Sequence, residues 1–169
     1  MDDIKIFEGF IPENACESII QEGLSHPQIE AGTGQENESS RGRSTKVAFI
    51  DNAFLKSYIH ELVFANYNHN IIEAEDLQFA TYKEGDFYGY HKDADKHNKR
   101  VLSVSVLLSS PFDYEGGDLI FHKVPSLDFS DFSPPNFQGS VIVFPSNIYH
   151  QVTAITKGTR HSLVQWFKG

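Results

Sequence analysis

Apolar residues recur at helical spacing in parts of the first half of the chain and at strand spacing through the second. Residues 4–10 alternate loosely and predict a first strand. Beyond Pro12, the residues Ala15, Ile19, Ile20 and Leu24 predict a helix near 13–24, with Glu13 and Glu17 at its positive N-terminal end. Residues 31–44 are polar and Gly/Ser-rich without periodicity, and predict a loop. Residues 47–50 suit a short strand. Residues 53–67 carry Phe54, Tyr58, Leu62 and Ala65 on a second helical stripe.

From Leu77 the pattern is almost entirely β. Strands are predicted over 77–82, 88–93, 100–109, 117–122, 139–144, 149–155 and 159–167, with the three prolines of 124–138 marking an irregular insertion. Helices followed only by strands imply helices packed on one side of a mainly antiparallel sheet. Seven or so short strands with turn signals imply a double-sheet jelly roll or barrel. The expected fold class is therefore mainly β with flanking N-terminal helices.

Length and composition narrow this picture. At 169 residues the chain is expected to form one domain over 1–169, a helix-bearing segment 1–76 leading into a β core 77–167. A net charge of −9 argues against nucleic-acid partners. No apolar run suits a bilayer and no secretory leader is apparent, so a cytoplasmic, non-membrane protein is expected. Cys16 is the only cysteine, which fits a reducing compartment; it reads as a small buried apolar residue. Nothing in the pattern indicates an oligomeric state.

The chemistry concentrates in Tyr82-Lys83-Glu84-Gly85-Asp86-Phe87-Tyr88-Gly89-Tyr90-His91-Lys92-Asp93. On an extended strand His91 and Asp93 point to one face, where an imidazole and a carboxylate can grip a divalent metal. His150 is the best third ligand. Two His and one carboxylate leave part of an octahedral ion open, as in non-haem Fe(II) oxygenases.

A three-residue loop at Thr156-Lys157-Gly158 predicts a hairpin in which Val152 faces Ser162 and His150 faces Val164. His150, Arg160 and Ser162 then share a sheet face. A guanidinium grips a carboxylate through two parallel hydrogen bonds, so Arg160 could hold the far end of a dicarboxylate chelated to the metal. Ser162 and Tyr82 could add hydroxyls.

Together, Tyr82-x-x-Gly85, His91-x-Asp93, Gly116-Gly117-Asp118-Leu119, His150 and Arg160-x-Ser162 resemble the prolyl 4-hydroxylase-like branch of the 2-oxoglutarate and Fe(II)-dependent dioxygenases. The likeness covers roughly 77–167, with a looser echo at Arg43-Ser44-x-Lys46. It implies a double-stranded β-helix, with His91, Asp93 and His150 as iron ligands and Arg160, Ser162 and Tyr82 on the distal carboxylate of 2-oxoglutarate. It also implies O₂ as cosubstrate, ascorbate as an accessory reductant, and hydroxylation of a C–H bond coupled to release of succinate and CO₂. The substrate would be a prolyl or other residue of a peptide or protein, with Arg43 and Tyr88 as substrate-side candidates. A second tyrosine of some prolyl hydroxylases is missing, since 101–108 offer only Val, Leu and Ser.

Several residues have plainer readings. His60 and His69 read as exposed, His97 and His122 as surface or supporting residues, and His161 as facing away from the site. Trp166 reads as core, and Tyr90 as packing behind the site with Tyr88. Ser103 and Ser105, odd in an apolar strand, either line a cavity or face water. Arg41, Arg43 and Lys46 flank the polar loop, which is either solvated or closes over substrate. Competing functions are a hydroxylase of a free amino acid or small metabolite, a sensor or Zn hydrolase with the same three ligands, and a structural module. Arg160 separates the first from the others, because a hydrolase has no use for a dicarboxylate clamp.

Overall fold

A computed structural model describes residues 3–31, 42–67 and 70–169. In chain order the elements are β1 (Lys5–Phe7), α1 (Glu13–Ser25), β2 (Ile29–Glu30), β3 (Arg43–Ser44), β4 (Lys46–Ile50), α2 (Ala53–Asn66), β5 (Glu73–Ala74), β6 (Leu77–Tyr82) and β7 (Phe87–His91). There follow β8 (Arg100–Leu107), β9 (Tyr114–Gly116), β10 (Leu119–Val124), a 3-10 turn (Pro125–Leu127), β11 (Ser130–Phe132), β12 (Val141–Pro145), β13 (Tyr149–Val152), β14 (Ile155–Gly158) and β15 (Arg160–Lys168).

The strands build two facing sheets and a small ribbon. The large sheet runs β1-β12-β8-β15-β6-β4-β2, with β5 on β15; the small sheet runs β11-β10-β13-β7-β3; β14 pairs β9. Every described strand pair is antiparallel.

The alternation of β8 explains the layering. Leu102, Val104 and Val106 join one core with Cys16 and Ile19 of α1 and Leu55, Ile59, Leu62 and Val63 of α2. Ser103, Ser105 and Leu107 point the other way by the pleat, and Leu107 meets Tyr82, Phe121, Phe144 and Val152 in a second core between the sheets. The large sheet is thus covered on both faces, which is why all six residues of β6 are buried. Helices on one sheet of a jelly roll are as expected.

Both helical stripes are rotated from the predicted ones. In α1 the buried face is Cys16, Ile19 and Gly23, while Leu24 is exposed. Gly23 carries the contact because its bare Cα lets the Phe79 ring approach; a Cβ there would lie 2.4 Å from Phe79 Cγ. In α2 Leu55 and Ile59 face inward and Phe54 is 80% exposed. His60 is half-buried, packed edge-on against Phe167, rather than exposed. Residues 32–41, including Arg41 and most of the expected closing loop, lie outside the described residues, as does His69.

The predicted terminal hairpin does not form. β13 pairs with β10 and β7 in the small sheet, whereas β15 pairs with β6 and β8 in the large one. Val152 therefore sits opposite Leu119 and Tyr88, and Ser162 opposite Ala80 and Leu107. Residues 156–158 are strand, not turn. Gly158 serves close approach instead: a Cβ on it would lie 2.1 Å from the Asp113 carbonyl oxygen, on the loop leading into β9.

Candidate metal centre

Three ligand-type side chains converge between the sheets. His91 ends β7 and pairs directly with His150 of β13. Asp93 follows in the bend beyond the strand. The ligand atoms of the three residues all lie within 4.8 Å of one another. Asp93 Oδ1 is 3.5 Å from His91 Nε2, and Oδ2 is 3.6 Å from His150 Nε2.

Strand alternation is not what brings them together. From Tyr88 to His91 there is one residue more than from Val152 to His150, a bulge through Gly89 and Tyr90. The bulge puts the Tyr88 and His91 rings on one side, parallel with centroids 3.5 Å apart. It turns Tyr90 outward onto Tyr149 at 4.6 Å, so Tyr90 does not pack behind the site.

Both imidazoles are oriented by their own backbone. His91 Nδ1–H donates to the Gly89 carbonyl at 2.7 Å, and His150 Nδ1–H to that of Ile148 at 3.0 Å. A neutral imidazole donating from Nδ1 keeps its Nε2 lone pair free, which is the form a metal needs. Phe144 stands edge-on to His150 at 4.8 Å and closes its apolar wall.

The charges agree with this. Burial pushes His150 down from its ordinary value to about 4, so the ring is neutral at physiological pH. Burial alone would raise the Asp93 carboxyl, but His150, His91 and the Ser103 hydroxyl outweigh it and hold Asp93 well below the usual carboxylate range. A buried carboxylate facing the Nε2 atoms of two imidazoles is a cation site in its chemistry. The group fits Fe(II), Mn(II) or Zn(II) alike by donor type.

His161 faces away from the site as expected, stacked on Phe79 and hydrogen-bonded to Thr81 Oγ1 at 3.2 Å, and burial pushes it to about 4 as well. Both histidines regain a value near 6.5 on unfolding, so the unfolded chain takes up more protons between about 6.5 and 4. Metal-free protein is therefore expected to lose stability steadily as pH falls through that window, measured by urea unfolding in chelator. A flat profile there would contradict neutral burial.

Arg160 is 2% exposed and makes no ion pair with any described residue. Its Nη1 donates to Ser162 Oγ at 3.1 Å, its guanidinium lies 5.3 Å from the Tyr82 ring centroid, and its Nε has no partner among the described residues. Tyr82 lies directly across the strand pair. A buried, uncompensated guanidinium is costly and marks a place for an anion. It lines the same cavity as His91, Asp93 and His150, reaching it from the opposite sheet. The four residues thus share a cavity, though not through the hairpin expected from the sequence.

Gly117 makes room for this arginine. At φ +66° a Cβ would fall 2.9 Å from Arg160 Cδ and 2.4 Å from Ile155 Cδ1. Gly117→Ala is expected to cost roughly 1–3 kcal/mol of stability in equilibrium unfolding, and to displace the guanidinium.

The other end of the cavity is polar in a different way. Arg43, opposite Tyr88 in the β3–β7 pair, stacks on the Tyr88 ring at 4.4 Å and donates to Gln78 Oε1 at 3.0 Å. Burial raises Tyr88 to about 12, so its hydroxyl stays protonated. Gln78, Ser105 and Trp166 also line the space, and the Trp166 and Arg43 Nε–H groups are buried without partners among the described residues. Gln78 and the cavity role of Trp166 were missed, because a buried Gln or Trp gives no sequence signal separating core from cavity. Ser103 and Ser105 do face inward, as their odd polarity allowed; His97 is exposed and His122 half-buried.

Residues 77–168 match the model of the 2OG-Fe(II) oxygenase superfamily. The chain belongs to that superfamily. Fe(II) and 2-oxoglutarate are the cofactor and cosubstrate of 2OG-Fe(II) oxygenases, and O₂ is their second cosubstrate. A PKHD-type hydroxylase of Thermosynechococcus vestitus is 36% identical over 96 residues, 53% of this chain and 41% of the relative. One of Shewanella frigidimarina is 32% identical over 98 residues, 53% and 42% of the two chains. The chain thus spans about two fifths of the length of these relatives. In fold it is similar to a Pseudomonas putida prolyl-4-hydroxylase, with TM-score 0.79, 19% identity, and 98% of this chain and 91% of that one covered. It is also similar to a Trichoplax adhaerens prolyl hydroxylase in complex with a peptide fragment, with TM-score 0.82, 18% identity, and coverage of 99% and 84%. These confirm the oxygenase jelly roll. Among the described residues no helix is long and apolar enough to cross a membrane.

Proposed function

We propose that this chain hydroxylates a C–H bond in a peptide or protein substrate, with a prolyl residue the leading target, while 2-oxoglutarate is decarboxylated to succinate. The observation that carries the reading is the buried, unpaired guanidinium of Arg160 in the same cavity as His91, Asp93 and His150. His91, Asp93 and His150 would hold Fe(II); Arg160, with Ser162 and Tyr82 beside it, would hold the distal carboxylate of 2-oxoglutarate. Bound iron and cosubstrate supply the oxidising chemistry. The protein's part is to orient both ends of the cosubstrate, to hold the two imidazoles through their Nδ1 hydrogen bonds, and to exclude water behind Phe144 and Phe121.

Arg43, Tyr88 and Trp166 would face the substrate. Two unpartnered N–H donors there suit an acceptor such as a peptide carbonyl, and the peptide-bound Trichoplax adhaerens neighbour supports a peptide. Arg43, which forms no ion pair with a described residue, favours a second reading, a free amino acid whose carboxylate it would pair. We take residues 1–169 as one catalytic unit, since helices and β core share a buried cluster. The lone buried Cys16 supports work in a reducing, cytoplasmic setting.

Succinate release with Fe(II), 2-oxoglutarate and O₂ tests the reading, screened over prolyl peptides and free amino acids. Stimulation by peptides is expected. Stimulation by free amino acids alone would favour the second reading, and no turnover with any substrate or without one would refute both.

A further inference from the structure

Asp93 is gripped from the large sheet by a buried hydroxyl. Ser103 on β8 is wholly buried, and its hydroxyl donates to Asp93 Oδ2 at 2.6 Å. Ser103 Oγ also lies 2.8 Å from Ser146 Oγ, in the turn between β12 and β13. The direction of this chain is fixed by chemistry. An ionised carboxylate only accepts, so Ser103 spends its single proton on Asp93, and Ser146 must donate to Ser103.

The backbone of Ser146 ties the same parts together. Its N–H donates to the Val101 carbonyl at 3.0 Å, on the strand that carries Ser103. Its carbonyl accepts from the Ala94 N–H at 2.8 Å, next to Asp93. Four residues on, the same turn delivers His150. Ser146 therefore joins β8, the Asp93 bend and the His150 arm, although it is remote from the His-x-Asp motif in sequence.

Resting on the Fe(II) reading above, we propose that Ser103, oriented by Ser146, is a positioning residue that holds the Asp93 carboxylate to single-oxygen coordination. A carboxylate free to rotate could bind a metal through both oxygens. That would consume one of the positions a chelating 2-oxo acid and O₂ require. A short hydrogen bond onto one oxygen, made in a buried site, opposes that rotation. Two sub-3 Å hydroxyl contacts in an otherwise apolar stretch have no evident packing role, since alanine or valine would fill the space without a polar network to satisfy.

The test is binding, not turnover. Mn(II) affinity, by electron paramagnetic resonance of free ion, and the visible charge-transfer band of the anaerobic Fe(II)–2-oxoglutarate complex are measured for wild type, Ser103→Ala, Ser103→Thr and Ser146→Ala. Ser103→Ala is expected to weaken 2-oxoglutarate binding to the metal-loaded protein roughly 10- to 100-fold, the usual effect of losing such a support. Ser146→Ala should weaken it less, and Ser103→Thr, which keeps the hydroxyl, should restore it. Wild-type affinities in both alanine variants, or equal loss in Ser103→Thr and Ser103→Ala, would overturn the proposal. If Ser103→Ala fails to fold, Ser146→Ala and Ser103→Thr decide by the same criteria. Absence of Mn(II) binding by wild type would refute the metal site itself, a distinct failure.

Discussion

Asp93→Ala is expected to abolish metal binding and to lower succinate release by about three powers of ten or more, since the metal supplies several kcal/mol to the barrier. The carboxylate is the only described anion beside His91 and His150, and no other described carboxylate can take its place. The fold should survive, because the change removes a buried charge rather than a packing group. Thermal unfolding makes the distinction. Wild type should gain stability on adding Mn(II), as any ligand of the native state requires, and Asp93→Ala should not. A variant that still gains stability with Mn(II) would place the cation elsewhere.

Arg160→Met separates function from stability in the opposite way. Losing the charged partner of a buried carboxylate costs roughly 3 kcal/mol, so 2-oxoglutarate affinity should fall by about a hundredfold or more. Mn(II) affinity should not change. The metal-free protein should be as stable as wild type or more so, because an uncompensated buried guanidinium gives way to an apolar side chain of similar length. Isothermal titration with 2-oxoglutarate in the presence of Mn(II), together with urea unfolding, checks both. Weaker metal-free stability with unchanged 2-oxoglutarate affinity would make Arg160 a structural residue.

The fold and the candidate site differ in how they could be read from sequence. The mainly β architecture with helices on one sheet followed from element order, and His91, Asp93, His150 and Arg160 followed from residue type and spacing. What failed was pairing. Period-two alternation could not reveal the bulge at Gly89–Tyr90, nor that Asp93 lies past the end of its strand. Gly158 looked like a turn residue because glycine suits both a turn and a close strand contact, and the second applies. His150 and Arg160 consequently share a cavity from opposite sheets instead of one face of a hairpin. Ser103 was visible as an anomaly in an apolar strand, but its partner Ser146 was not, since their contact joins residues 43 positions apart.

A crystal structure with Mn(II) and an inert oxoglutarate analogue tests the central claim most directly. The ion should sit on His91 Nε2, one oxygen of Asp93 and His150 Nε2, with the analogue's far carboxylate on the Arg160 guanidinium. An ion bound away from these three side chains, or an analogue that leaves Arg160 untouched, would contradict the account.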